Sequence, residues 1–144
     1  MKSLPAWLLF SIGSAFFAGL TAIFAKLGVE GLNSNLATLV RTGVILFVTA
    51  AIISMRGEWT WPEDASARPV VFLIVSGVAT GLSWLCYFRA LQLAPVSWVA
   101  PIDKLSVAFA IVLGIAVLGE PLTWRVALGG LLVVGGALVI ATGH

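Results

Sequence analysis

Residues 92–121, QLAPVSWVAPIDKLSVAFAIVLGIAVLGEP, hold one apolar run between two very short connections. The run is long enough to cross a bilayer, which takes about 20 mainly apolar residues in a helix. Because QLAP and GEP leave no room for another element, the helices on either side of the run are expected to be its antiparallel neighbours. The same run carries an acid and a base, Asp103 and Lys104.

The composition of the whole chain indicates a lipid environment. Its 144 residues are 60% hydrophobic and 10% charged, with a mean hydropathy of +1.11, whereas soluble domains carry about 25% charged residues. Cys86 is the one cysteine and His144 the one histidine, so no intrachain disulfide and no cysteine–histidine metal cluster is expected. No basic run suggests nucleic-acid binding, and no cofactor is expected.

Hydropathy predicts an all-α integral membrane protein with five transmembrane helices. The spans are placed at about 5–25, 36–55, 69–91, 96–118 and 122–142. Pro5, Pro69 and Pro121 stand in or just before the first turn of three of them, where a helix tolerates proline. No connection is long enough to hold a soluble domain, so any function is expected inside the membrane or at its faces.

The basic residues favour neither orientation strongly. With face A defined as the N-terminal side and face B as the opposite side, four basic residues lie at face A and three near face B: Lys2, Arg56, Arg68 and Arg125 against Lys26, Arg41 and Arg89. Positive residues favour the cytoplasmic side. The margin is thin, so a mixed or easily inverted orientation is expected.

Small residues predict close helix packing in two places. The third span carries the GxxxG motif Gly77–Gly81, and the fifth carries GGLLVVGG at residues 129–136. Small side chains let helix backbones approach each other where lipid supplies no hydrophobic driving force. The contacts could lie within one chain or between subunits.

Asp103 and Lys104 lie about 10 Å inside the fourth span, counting from Val96 at face B. An ionisable group at such a depth costs on the order of 3 kcal/mol unless it faces protein or water. Neighbouring residues on a continuous helix point about 100° apart, so the two are not expected to pair face to face, and each needs another partner or a hydrated cavity. They could form static bridges that fix packing, or they could line a solute or proton path. The second interpretation is favoured, because intramembrane ionisable residues usually serve function.

Other polar and aromatic residues fall on the face-B half of the spans. Arg41 is placed about 7 Å and Trp84 about 10 Å from that face. Lys26 and Glu30 are spaced i and i+4 at the end of the first span. Long basic side chains near helix ends often extend to the membrane interface. The candidate solute-binding residues are therefore Lys26, Arg41, Trp84, Tyr87, Arg89, Asp103 and Lys104.

The C-terminal part of the chain resembles a known family. Pro95, the Ala100-Pro101 turn and LGEPLT followed by a glycine-rich last helix are similar to an EamA domain of the drug/metabolite transporter superfamily. Lys26 and the Arg41 of LVRTGV fit the same pattern. Most members carry two such five-helix units in tandem, the second inverted, as alternating access requires. This chain departs from the common pattern at IDKL, so the ligands of ten-helix relatives are not transferred to it.

The resemblance implies a secondary transporter of a small metabolite in the plasma membrane of a bacterium or archaeon, and export is one direction of transport that it allows. One unit supplies half a pathway, so it also implies a homodimer, and antiparallel pairing would recreate the inverted repeat. The alternative is a non-transporting membrane subunit or assembly factor. An enzyme is not expected, since the sequence lacks HExxH, GxSxG and P-loop motifs.

Overall fold

The computed structural model describes residues 5–61 and 66–143. Lys2, one of the basic residues counted at face A, and His144, the one histidine, lie outside the described residues. Within the described ranges the chain forms helices joined by turns and short irregular segments, with no strand. The helices are α1 (Ala6–Gly28), α2 (Ser34–Arg56), α3 (Ala67–Leu93), α4 (Val96–Asp103), α5 (Ser106–Leu118) and α6 (Trp124–Thr142).

These helices supply five segments that are long and apolar enough to cross a membrane, with α4 and α5 together forming the fourth, Val96–Leu118. The predicted all-α membrane fold is therefore confirmed. The ends differ slightly from the prediction. For example, α2 begins at Ser34 rather than near residue 36, because the Asn33 side chain accepts a hydrogen bond from the Asn35 backbone N–H at 2.9 Å and caps the helix.

The fourth span is interrupted halfway. Pro101 has no backbone N–H and disturbs the regular hydrogen bonding of the helix around it. The N–H groups of Lys104 and Leu105 turn instead to carbonyls three residues back, those of Pro101 and Ile102, each at 3.0 Å. This tighter turn ends α4 at Asp103, and α5 starts at Ser106.

The contacts of the chain divide it into two groups of residues. The first, here called the terminal unit, holds the residues up to Ile23 and those from Leu93 onward. In this unit α6 packs against α4 and α5. A Cβ atom placed on Gly130 would lie 2.8 Å from Cδ1 of Ile111, so the glycine lets an α5 side chain approach the α6 backbone. The close packing predicted for the glycine-rich helix is thus present at one of its glycines.

The second group, Phe24–Gln92, is here called the central unit. Its buried residues gather where α1 ends, α2 begins and α3 ends: Ala25, Val29, Ser34, Ala37, Thr38, Phe88 and Leu91. Leu91 is fully buried, at 0% exposure. Within this unit, a Cβ atom added at Gly77 or Gly81 would meet nothing within 4 Å. The GxxxG motif of α3 therefore makes no close helix contact inside the central unit.

The LGE sequence at the end of α5 closes that helix through glycine. Gly119 has a φ of 69°, in the left-handed region, and donates its N–H to the Ile115 carbonyl at 3.2 Å. The next residue, Glu120, donates its N–H to the Gly114 carbonyl at 3.1 Å. The two bonds form the terminating motif in which glycine is preferred, because it has no Cβ to clash.

We expect the Gly119→Ala variant to lose about 1–2 kcal/mol of stability, the cost of placing an L side chain in the left-handed region. The Gly135→Ala variant is the matched control: Gly135 lies inside α6, and a Cβ there would meet nothing within 4 Å. Unfolding midpoints in mixed micelles with increasing denaturing detergent measure both. Equal midpoints for the two variants would contradict the assigned role of Gly119.

Candidate functional site

Asp103 and Lys104 lie where the fourth span is interrupted, in the terminal unit. Nζ of Lys104 donates a hydrogen bond to Oδ2 of Asp103 at 3.1 Å. The expectation that these residues would need separate partners was therefore wrong. It assumed a continuous helix, whereas α4 ends at Asp103 and the turn at Lys104 brings the two side chains together.

The pair is partly accessible rather than sealed in a core. The Asp103 side chain is 35% exposed and the Lys104 side chain 54% exposed. An ion pair in the middle of an apolar span that is not buried in protein must face water, lipid or another protein surface. Hydrocarbon is the least favourable of these surroundings for two charged groups. The geometry thus offers a charged pair that is exposed on the described chain at the break between two half-helices.

In the central unit, Arg41 stacks on aromatic rings. Its guanidinium carbon lies 3.7 Å from the ring centroid of Trp84 and 5.5 Å from that of Phe88. Arg41 is seven residues into α2, about 10 Å from the start of the helix. A cation over ring faces is stabilised by their negative charge distribution, by about 2 kcal/mol where water is scarce. The described residues supply no carboxylate partner to Arg41.

Arg41 belongs to a polar stripe on one side of α2. Ser34, Thr38 and Arg41 are spaced i, i+4 and i+7, the repeat of one helix face. Ser34 is 7% and Thr38 6% exposed, and the Thr38 hydroxyl donates to the Ser34 carbonyl at 2.9 Å. The sequence reasoning missed Ser34 and Thr38. The spacing of hydroxyl residues ahead of Arg41 in an apolar helix was the signal that could have found them.

A network of hydrogen bonds ties the end of α3 to the turn between α1 and α2. Lys26 Nζ donates to the Leu91 carbonyl. Nε2 of Gln92 donates to the Leu32 carbonyl at 2.7 Å and to the Val29 carbonyl at 3.3 Å. The first span ends at Gly28, so Glu30 lies in the turn beyond it. Lys26, which was predicted to bind solute, therefore links α1 to the end of α3.

The same end of the central unit contains an open cavity of about 560 Å³. It is lined by Asn33, Ser34, Asn35, Leu85, Cys86 and Arg89. Of these residues, only Arg89 was predicted from the sequence to bind solute. The others were missed because two asparagines in a connection and a lone cysteine carry no pattern that predicts a pocket.

The predicted site residues fall into the two units. Arg41 contacts Trp84, and both belong to the central unit with Lys26, the half-buried Tyr87 and Arg89. Asp103 contacts Lys104 in the terminal unit. The described part of the chain holds no group of three or more histidine, cysteine, aspartate or glutamate residues that could bind a metal ion.

Five apolar spans, one of them interrupted at a charged pair, define a multi-pass membrane protein with polar groups built into its helices. The chain belongs to the EamA-like transporter family, whose profile matches residues 5–142. It is 48% identical over 136 residues to a Sinorhizobium sp protein described as an uncharacterized transporter in the cobO 3' region, covering 94% of this chain and 96% of that protein. No solved structure matches the chain. The resemblance identified from the sequence is confirmed, and with it the class of membrane transporter.

Proposed function

We propose that the chain is a secondary transporter that exports a small metabolite across the plasma membrane of a bacterium or archaeon. Residues 1–144 act as one EamA-like unit, and two copies complete the pathway. Family membership and the transporter relative support the general function. The observation that carries the mechanism is the Asp103–Lys104 ion pair at the break of the fourth span.

An interrupted transmembrane helix suits transport. Half-helix ends and turns of this kind supply the polar groups that hold ions and solutes inside the membrane. In our proposal, Asp103 exchanges its partner during the cycle: it pairs with Lys104 when the site is empty, and solute entry separates the two. The residues proposed to contact the solute during the cycle are Lys26, Arg41, Trp84, Tyr87 and Arg89 of the central unit and Asp103 and Lys104 of the terminal unit.

The proposed homodimer follows from the number of spans. A single unit of five helices has its ends on opposite sides of the membrane, so two copies inserted in opposite directions recreate an inverted repeat. Antiparallel pairing also agrees with the weak charge bias of the sequence. The Gly77–Gly81 face, which makes no close contact inside the central unit, is the proposed subunit contact.

Flux measurements test the function. The purified chain, reconstituted into liposomes, is expected to move at least one solute from a panel of small metabolites faster than protein-free vesicles do, with a rate that depends on an imposed pH gradient. The absence of flux for every solute, from protein shown to be folded, would contradict transport and favour a non-transporting subunit. An active monomer in lipid would contradict the homodimer alone.

Labelling of the two chain ends tests the orientation. In a Cys86→Ser background, we expect Ser3→Cys and His144→Cys each to react with a membrane-impermeant thiol reagent in a fraction of the copies in intact cells. The reason is that four basic residues against three give a weak orientation signal. Reaction at one end only, unchanged when lysines are added to the connections, would rule out dual orientation.

A further inference from the structure

The cavity of the central unit has the chemistry of an anion site. Its lining combines a guanidinium, two amides and a hydroxyl with the thiol of Cys86 and the apolar side chain of Leu85. None of the described residues that line it is acidic. Its volume of about 560 Å³ falls in the range of small-molecule sites, roughly 300–1,000 Å³.

Arg89 supplies the positive charge. Its Nη1 donates to Oε1 of Gln92 at 3.0 Å, a neutral partner, and no carboxylate in the described residues forms an ion pair with it. A guanidinium has five N–H donors in a planar fork that matches the oxygens of a carboxylate or phosphate. Most of these donors remain available to a ligand.

Ser34 contributes a hydroxyl that is open to the cavity. The residue is only 7% exposed and lines the cavity, and its hydroxyl has no hydrogen-bond partner among residues 5–61 and 66–143. No buried side-chain polar atom of the described residues lacks a partner, so this hydroxyl is reached from the cavity. A ligand or water there can form a hydrogen bond with it.

The start of α2 adds to the same preference. The helix has 23 residues, and its first turn, which holds Ser34 and Asn35, contains no acidic side chain. Asn33 caps the Asn35 N–H, but the helix dipole still places a partial positive charge at this end, which favours anions. Arg89 and the helix start therefore both favour an anion in the cavity, and the Ser34 hydroxyl can donate a hydrogen bond to it.

We propose that this cavity binds the carboxylate or phosphate group of a small organic anion, held by Arg89 and by the Ser34 hydroxyl. That this anion is the transported solute rests on the proposed transport function; the binding itself does not. Arg89 is four residues from the end of α3, about 6 Å, so a lipid headgroup phosphate offers the same chemistry from a second source.

Cys86 provides a built-in reporter. It lines the cavity, is exposed, and is the one cysteine of the chain. In purified protein in a maltoside detergent, which contains no phosphate, each labelling rate of Cys86 is divided by the rate of the same reagent with free 2-mercaptoethanol, because the thiolate itself favours a cationic reagent. On this relative scale we expect Cys86 to react about tenfold faster with an anionic methanethiosulfonate than with a cationic one of similar size. One nearby unit charge at a protein surface is enough for such a ratio.

Three variants test whether Arg89 causes the preference of Cys86 for the anionic reagent. Arg89→Gln should remove it, and Arg89→Lys, which keeps the charge, should retain most of it. Arg68→Gln, at the other end of α3, should leave it unchanged. Equal relative rates of Cys86 labelling by the two reagents in the parent protein would overturn the proposal. A preference for the anionic reagent that survives Arg89→Gln would also overturn it.

Added anions show whether the ligand is a soluble anion or a lipid headgroup. Succinate or inorganic phosphate at millimolar concentration should slow the labelling of Cys86 in detergent, and the same anions should do so in phosphatidylcholine nanodiscs. Protection that appears on transfer to nanodiscs and that no soluble anion produces would assign the site to a lipid headgroup and overturn the solute. Because labelling needs no transport, its failure is distinguishable from an absence of flux in liposomes.

Discussion

The Asp103→Asn variant should insert and fold like the parent chain and lose ion-coupled solute flux by about tenfold or more. The substitution keeps the shape of the side chain and removes the charge that pairs with Lys104 at 3.1 Å. In our proposal the carboxylate of Asp103 exchanges its charged partner during the cycle, which asparagine is unable to do, and a rise of only about 1.4 kcal/mol in the transport barrier is a tenfold loss of rate. Flux in liposomes, compared at equal amounts of folded protein, measures it.

The control for this prediction is a second ion pair in the same chain. Arg56, the last residue of α2, and Glu58 approach to 3.6 Å, with both side chains more than half exposed. An exposed pair of this kind contributes little to stability. The Glu58→Gln variant should therefore transport like the parent. Poor assembly of Asp103→Asn, with normal flux in the molecules that do fold, would show that Asp103 only fixes the packing.

The Leu91→Ala variant should lose about 2–4 kcal/mol of stability, the usual cost of a cavity left by a large buried side chain. Leu91 is fully buried, at 0% exposure, where the ends of α1 and α3 meet. The substitution leaves the Leu91 backbone carbonyl in place to accept the hydrogen bond of Lys26. Unfolding midpoints in mixed micelles give the stability change.

Leu73→Ala is the matched control, because Leu73 lies on the same helix and is 71% exposed. Its side chain packs on no core of the described chain, so removing it leaves no cavity. We expect its midpoint to lie close to that of the parent. A loss as large as that of Leu91→Ala would mean that burial within the chain does not decide the stability of α3.

Hydropathy was sufficient to predict the spans because a helix crossing lipid must be apolar over most of its length. The residues that initiate the helices were predictable only in part. Pro69 indicated the start of the third span to within two residues, but the capping of α2 by Asn33 depends on a side-chain hydrogen bond that hydropathy does not detect. Such local bonds move a helix end by a turn or less.

The interruption of the fourth span shows what the pattern of the sequence leaves undetermined. A proline inside a helix disturbs its hydrogen bonding, yet α4 continues for two residues beyond Pro101 before it breaks. The position of the break depends on which carbonyls the N–H groups of Lys104 and Leu105 select. For this reason the Asp103–Lys104 pair could not be predicted from an ideal helix.

The stacking of Arg41 was predictable in part. Depth along the spans placed Arg41 and Trp84 in the same half of the membrane, and the structure brings them into contact. The part played by Phe88 was not predicted, because an aromatic residue in an apolar span is no signal of a polar partner. Depth is thus readable from sequence, whereas the direction of a side chain depends on packing.

Exchange of the two charges in the fourth span tests most directly whether Asp103 acts in transport. The Asp103→Lys, Lys104→Asp double variant keeps one acid and one base at the break, so a static bridge can form again. Our account predicts that this variant folds and assembles like the parent but transports at a tenth of the parent rate or less, because the carboxylate no longer occupies position 103. Recovery of parental flux in the double variant, with Asp103→Asn inactive, would contradict the account and show that the bridge alone is required.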